Sequence, residues 1–144
     1  MGPAPAAPQS RLYRAAGRAS GVTAEWMPAV SRVLLGLVLA WFGYHELVRP
    51  GQWTGYVPVV PSGSSLAIVL VLAHGWVLLV LAVALAAGIA PRAAAAAAAV
   101  LLLEIVISLM VTGGLSDLTL RDVGVLGLAV CLTGCRQHRL VLRG

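Results

Sequence analysis

The sequence predicts an all-α membrane protein, a four-transmembrane-helix bundle with both termini in the cytoplasm. Three observations lead there. Sixty per cent of the side chains are apolar and 10% are charged, against about 25% charged in soluble domains, and the mean hydropathy is +0.93. The apolar residues gather in four runs, each near the roughly 20 residues a helix needs to cross hydrocarbon. The net charge of +5 comes entirely from arginine, and those arginines concentrate in alternate connecting segments.

The arginine distribution sets the expected orientation. Arg11, Arg14, Arg18 and Arg32 are counted ahead of the first span, Arg92 between the second and third, and Arg136, Arg139 and Arg143 after the fourth. Arg49 and Arg121 alone fall in the other two connections. The arginine-rich side is cytoplasmic by the positive-inside rule, and an even number of spans returns the C-terminus to it. The same scattering argues against a nucleic-acid surface, which needs a dense basic stripe.

Residues 1–27, rich in Ala, Pro and Arg, read as a flexible cytoplasmic tail, because their composition offers no core to bury. The first span is expected over about 29–48, within a membrane domain of 28–135. Trp26 and Pro28 precede it at an interface, and Arg49-Pro50-Gly51 stops it. It reads as a retained anchor, since no small-residue cleavage pattern follows its apolar run. The segment 49–65 carries Trp53, Tyr56, Pro58 and Pro61 and reads as an external loop on the headgroups, where amphipathic rings are favoured.

The second span is expected over 66–88 and the third over 92–111, antiparallel neighbours joined by the short link Gly88-Ile89-Ala90-Pro91. The fourth is expected over 118–135; its uncharged part is short, so Arg121 and Asp122 must sit near the external interface. Residues 136–144 form a basic cytoplasmic tail. Small residues mark faces on which helices can touch in lipid: Gly36, Ala40 and Gly43 on the first span, Ala93 to Ala99 on the third, Gly127, Cys131 and Cys135 on the fourth.

Ionisable groups inside hydrocarbon are costly and face a bundle interior or a cavity, so their depth is informative. His45 and Glu46 lie near the external end of the first span. His74 lies about 12 Å below the external surface and Glu104 about 18 Å above the internal one, counted at 1.5 Å per residue. Ser108 is one turn further out, and Arg121 and Asp122 open the fourth helix. All seven therefore fall in the outer half, which predicts a polar pocket opening externally and roofed by the loop with Trp53 and Tyr56.

Plainer readings stand beside that one. Glu104 and His74 can share a proton merely to tie the second and third spans together. Arg121 can be an interfacial anchor, with Asp122 favoured by the helix dipole, and His45 and Glu46 can be solvated at the interface. No ligand spacing compels a metal site, and a haem held by His45 and His74 would need them at equal depth, which the span positions do not give. Cys131 and Cys135 are four apart on the cytoplasmic side, not the redox Cys-x-x-Cys spacing, and read as small packing residues.

The run Ser31-Arg32-Val33-Leu34-Leu35-Gly36 through Gly43-Tyr44-His45-Glu46-Leu47, then Gly88-Ile89-Ala90-Pro91-Arg92-Ala93-Ala94, then Leu120-Arg121-Asp122-Val123-Gly124-Val125-Leu126-Gly127, resembles the DoxX family of small four-helix bacterial membrane proteins. The resemblance covers roughly 31–134, and Arg121-Asp122 opening the last helix is its most specific element. It implies a bacterial inner-membrane protein tied to redox work, since relatives include a subunit of thiosulfate:quinone oxidoreductase and a member of a mycobacterial oxidative-stress complex. Two positions depart from the family pattern. Glu46 replaces a Lys common in the Gly-x-x-Lys-Leu segment, and a carboxylate common early in the second helix is missing, with His74 the nearest polar group.

The resemblance and the pocket together lead to an expected role as accessory subunit of a quinone- or thiol-linked redox system, with quinone as the ligand class and other membrane or redox proteins, or a second copy, as partners. No electron-carrier motif is present, so catalysis by this chain alone is not expected. The alternative is an assembly subunit with no ligand site of its own. A transporter fits less well, because no broken helix or internal repeat is visible.

Overall fold

Helix ends in this chain follow local backbone chemistry, and those ends define where the polar groups sit. The computed structural model describes residues 8–135 and Val141, with side chains from Glu25 onward. Among them are α1 (Pro8–Val48), α2 (Ser65–Ala87), α3 (Pro91–Gly113) and α4 (Asp117–Gly134), two short 3-10 turns at Pro50–Gln52 and Thr54–Tyr56, and no strand.

α1 stops where Pro50 can donate no further hydrogen bond. Ser64 caps α2, its hydroxyl accepting from the Ala67 amide at 3.2 Å. α2 ends in a Schellman turn: Gly88 has φ of 72°, the Ile89 amide reaches Ala84 O at 2.9 Å and the Gly88 amide Leu85 O at 3.2 Å. Pro91 then opens α3, where its missing amide proton costs nothing. Ser116 caps α4 through the Thr119 amide at 3.3 Å, and the fully buried Thr119 donates its hydroxyl to Gly114 O at 3.0 Å.

Three helical stretches are long and apolar enough to cross a membrane: Glu25–Val48, Ser65–Ala87 and Pro91–Gly113. They match the first three expected spans within a few residues. α4 has 18 residues, with Asp117, Arg121 and Asp122 in its first two turns, and at 1.5 Å per residue is about 27 Å long.

α1 and α2 pack closely and antiparallel along their length, and the glycine stripe of α1 explains how. A Cβ placed on Gly43 would lie 2.7 Å from Gly75 O, one on Gly36 3.0 Å from Ala82 O, and one on Gly75 3.1 Å from the Glu46 Cβ. The two backbones therefore touch, as small residues permit in lipid. α3 and α4 form a second close hairpin, whereas contacts between the two pairs are sparse. The pairs meet around Leu35, Leu85, Ala95, Ala98, Ala129 and Leu132, with the inward side of the alanine run among them.

Three expectations need correction. α1 starts at Pro8, so the segment expected as a flexible tail is helical over residues 8–24, in keeping with the high helix propensity of Ala, Arg and Leu. Residues 1–7 and, Val141 apart, the tail 136–144 lie outside the described residues. Arg32 is not ahead of the span: it is fully buried within α1, on the face it shares with Leu35, Leu39 and Glu46 at three- and four-residue steps. Among the described residues nothing lies within 4 Å of a Cβ on Gly127, and Cys131 is exposed, so this part of the α4 stripe meets no helix there. α4 instead turns Thr119, Asp122, Ala129 and Leu132 inward.

Candidate functional site

At the end of the bundle that carries the 49–64 segment and the α3–α4 link, the two hairpins part around a cavity of about 450 Å³. Small-molecule sites span roughly 300–1,000 Å³. All four helices and the 49–64 segment contribute to its wall.

Glu46 enters from α1, buried to 6% exposure. Its Oε2 lies 2.8 Å from His74 Nδ1 on α2. This pairing follows from the glycine contact just described: where Gly43 and Gly75 let the backbones touch, the next turn of α1 places its side chain against the turn of α2 that carries His74. On the far side of the imidazole, His74 Nε2 faces Glu104 Oε2 of α3 at 3.8 Å. Ser108, one turn along α3, donates to Glu104 Oε1 at 3.4 Å.

Across the cavity, Arg121 donates from Nε to the buried Asp122 carboxylate at 3.0 Å. Its guanidinium lies 4.8 Å over the Phe42 ring, within the range of a cation–π contact. Phe42 in turn meets Trp53 edge-on at 6.0 Å, and Trp53 lies 6.2 Å from Tyr56. That stack ties the 49–64 segment against the cavity as part of its wall. Thr54 holds the segment closed, its buried hydroxyl donating to Gly51 O at 3.0 Å and accepting from the Gly63 amide at 3.2 Å.

The structure thus brings Glu46, His74, Glu104, Ser108, Arg121 and Asp122 to one cavity, with Trp53 and Tyr56 in its wall. His45 is not in that wall. Its ring packs against Trp41 at 4.5 Å and Tyr44 at 5.7 Å, because consecutive helical residues diverge by about 100° and Glu46 takes the inward direction. A haem axial pair from His45 and His74 is therefore not assembled across the cavity. Among the described residues no group of three or more His, Cys, Asp or Glu is placed to hold a metal ion.

Sequence reasoning missed two residues of the site. Phe42 is one turn before Glu46 on the same face, so the inward carboxylate would have pointed to it. Thr54 lies in a segment without helical periodicity and carries no such signal.

The chemistry follows from proton bookkeeping on the imidazole. In the tautomer in which His74 Nδ1–H donates to the Glu46 carboxylate, Nε2 of the neutral ring is an acceptor turned toward Glu104. Nε2 and the Trp53 indole N–H are both buried, and among the described residues neither has a hydrogen-bond partner. Nε2 and the Glu104 carboxylate stand 3.8 Å apart as two acceptors, so a ligand hydroxyl placed between them donates its one proton to one or the other at an ordinary hydrogen-bond length of about 2.8 Å. The arrangement can accept a proton from a hydroxyl and donate hydrogen bonds to a carbonyl within largely apolar walls.

Comparison with family models, with curated proteins and with solved structures gives no match for this chain.

Proposed function

We propose that this chain is a four-span bundle of the bacterial inner membrane, DoxX-like, with both termini cytoplasmic and the cavity in the outer half. In this reading it serves a quinone- or thiol-linked redox system as an accessory subunit and binds a quinone or quinol headgroup. The observation that carries the reading is His74, fixed by Glu46 on one nitrogen and turned toward Glu104 with the other, inside an otherwise apolar cavity. A quinol hydroxyl donates to His74 Nε2, while the Trp53 N–H and Arg121 donate to the opposite oxygen. Electron transfer belongs to the partner enzyme.

α4 supports its place as a fourth span through a length of about 27 Å, with Arg121 and Asp122 at the end where the cavity opens. The arginine bias supports the orientation. One observation favours the assembly reading beside this one: the exposed face of α4 with Gly127 and Cys131 has no helix packed on it among the described residues. A second membrane subunit or a second copy fits such a face.

The test is titration of the detergent-solubilised protein with a water-soluble, tailless quinol, read by Trp fluorescence, with Trp53→Phe as the reporter control. Saturable quenching that Trp53→Phe removes is the expected result. No saturable binding, together with recovery of the protein only in a stoichiometric complex, would favour assembly. In intact cells, an impermeant thiol reagent is expected to label Gln52→Cys and not Gln9→Cys; the reverse pattern would overturn the orientation.

A further inference from the structure

We infer that the ligand reaches the cavity sideways from the bilayer, through a mouth between α2 and α3, and is a quinone whose hydrocarbon tail stays in that mouth. This deepens the quinone reading above and rests on it. The cavity wall is not equally closed on all sides. On α2 the wall residues Leu70, Ala73 and Val77 are exposed, Leu70 to 42% and Val77 to 45%. These residues share one face with His74, because three- and four-residue steps align along a helix.

Facing them on α3 is Glu104, whose side chain is 59% exposed. The opposite seam differs. There α1 presents half-buried Val38 and Phe42, and α4 half-buried Leu118 and Val125, with Arg121 alone exposed and laid over Phe42. The mouth is therefore apolar on α2 and polar at Glu104, and lies at one of the two seams where the hairpins touch only sparsely.

These features select an amphiphile. A carboxylate on a helix face that meets hydrocarbon is costly unless something polar covers it, and a quinol hydroxyl placed between His74 Nε2 and Glu104, donating its proton to one of these two acceptors, does so. The exposed Leu70 and Val77 offer nothing to a polar group but suit a chain of methylenes or isoprene units. A headgroup inside with its tail leaving past Leu70 and Val77 satisfies both ends of the mouth. A wholly water-soluble ligand leaves the apolar part unused.

The experiment compares two ligands on two variants of the full chain in nanodiscs: a decyl-tailed quinone and the same headgroup without a tail. Ala73→Trp fills the mouth, and Val69→Trp adds the same bulk at an exposed α2 position outside the cavity wall. Ala73→Trp is expected to weaken the tailed quinone about tenfold or more, as overpacking of 1–3 kcal/mol implies, and to leave the tailless one and the Val69→Trp protein near wild type. Equal affinities for the tailed quinone in Ala73→Trp and Val69→Trp would overturn the mouth while sparing the headgroup site. Failure of both ligands to bind wild type would overturn the quinone reading itself.

Should Ala73→Trp fail to fold, a quinone with a photoreactive tail answers the same question on wild type. Adducts on peptides from α2 and α3 support the mouth; adducts confined to α1 and α4, or only to phospholipid, contradict it.

Discussion

Gly43→Ile is expected to abolish the folded bundle. A Cβ at position 43 would lie 2.7 Å from Gly75 O and 3.1 Å from the Leu78 Cβ and Leu79 Cγ. The first of these is backbone and cannot rotate away, so α1 and α2 must separate along the contact that also presents Glu46 to His74. Overpacking alone costs about 1–3 kcal/mol. Parting the Glu46 carboxylate from its imidazole adds about 1.5–3 kcal/mol, the range for a hydrogen bond to a charged group. Thermal unfolding monitored by size-exclusion in detergent is expected to show aggregated Gly43→Ile protein at temperatures where wild type is monodisperse. Gly127→Ile, at a position with nothing within 4 Å, is expected to behave as wild type.

His74→Gln is expected to weaken quinol binding by about 10- to 100-fold while the amount of folded protein in the membrane holds. Glutamine keeps an N–H for the Glu46 carboxylate, so no buried charge is left bare. It removes the basic ring nitrogen that faces Glu104. Hydrogen bonds to charged groups are worth about 1.5–3 kcal/mol, which sets the expected factor. Fluorescence titration beside immunoblotting of membranes checks both halves. A parallel fall in binding and in protein amount would assign His74 to assembly instead.

Much of the fold was legible because one solvent dominates it. Apolar runs bounded by Pro50 and by Gly88-Ile89-Ala90-Pro91 located the first three spans to within a few residues, and the Gly36–Gly43 stripe marked a face for helix contact that α2 takes up. Depth was legible too, since rise per residue is constant in a helix. Rotation was not. His45 and Glu46 share a depth but diverge around the helix, and only packing chooses which faces inward.

The same limit explains why the nearer partner of His74 was not singled out. The sequence suggested Glu104, which does face the ring at 3.8 Å, whereas the shorter contact is to Glu46 at 2.8 Å. Matching the Gly43 stripe to Gly75 in antiparallel register would have pointed to Glu46. α4 misled in the opposite sense: its regular small-residue stripe fits a helix contact, but the described chain supplies no helix for it. Spacing alone cannot say whether such a face meets the same chain, another chain or lipid.

The account stands on the imidazole of His74 being held by Glu46 through Nδ1. ¹⁵N spectra of histidine-labelled protein in bilayers, with the His74 signals assigned by their loss in His74→Gln, report the protonation of each ring nitrogen. The account predicts a protonated Nδ1 whose shift changes in Glu46→Gln. A neutral ring protonated on Nε2 alone, with shifts indifferent to Glu46→Gln, would contradict it.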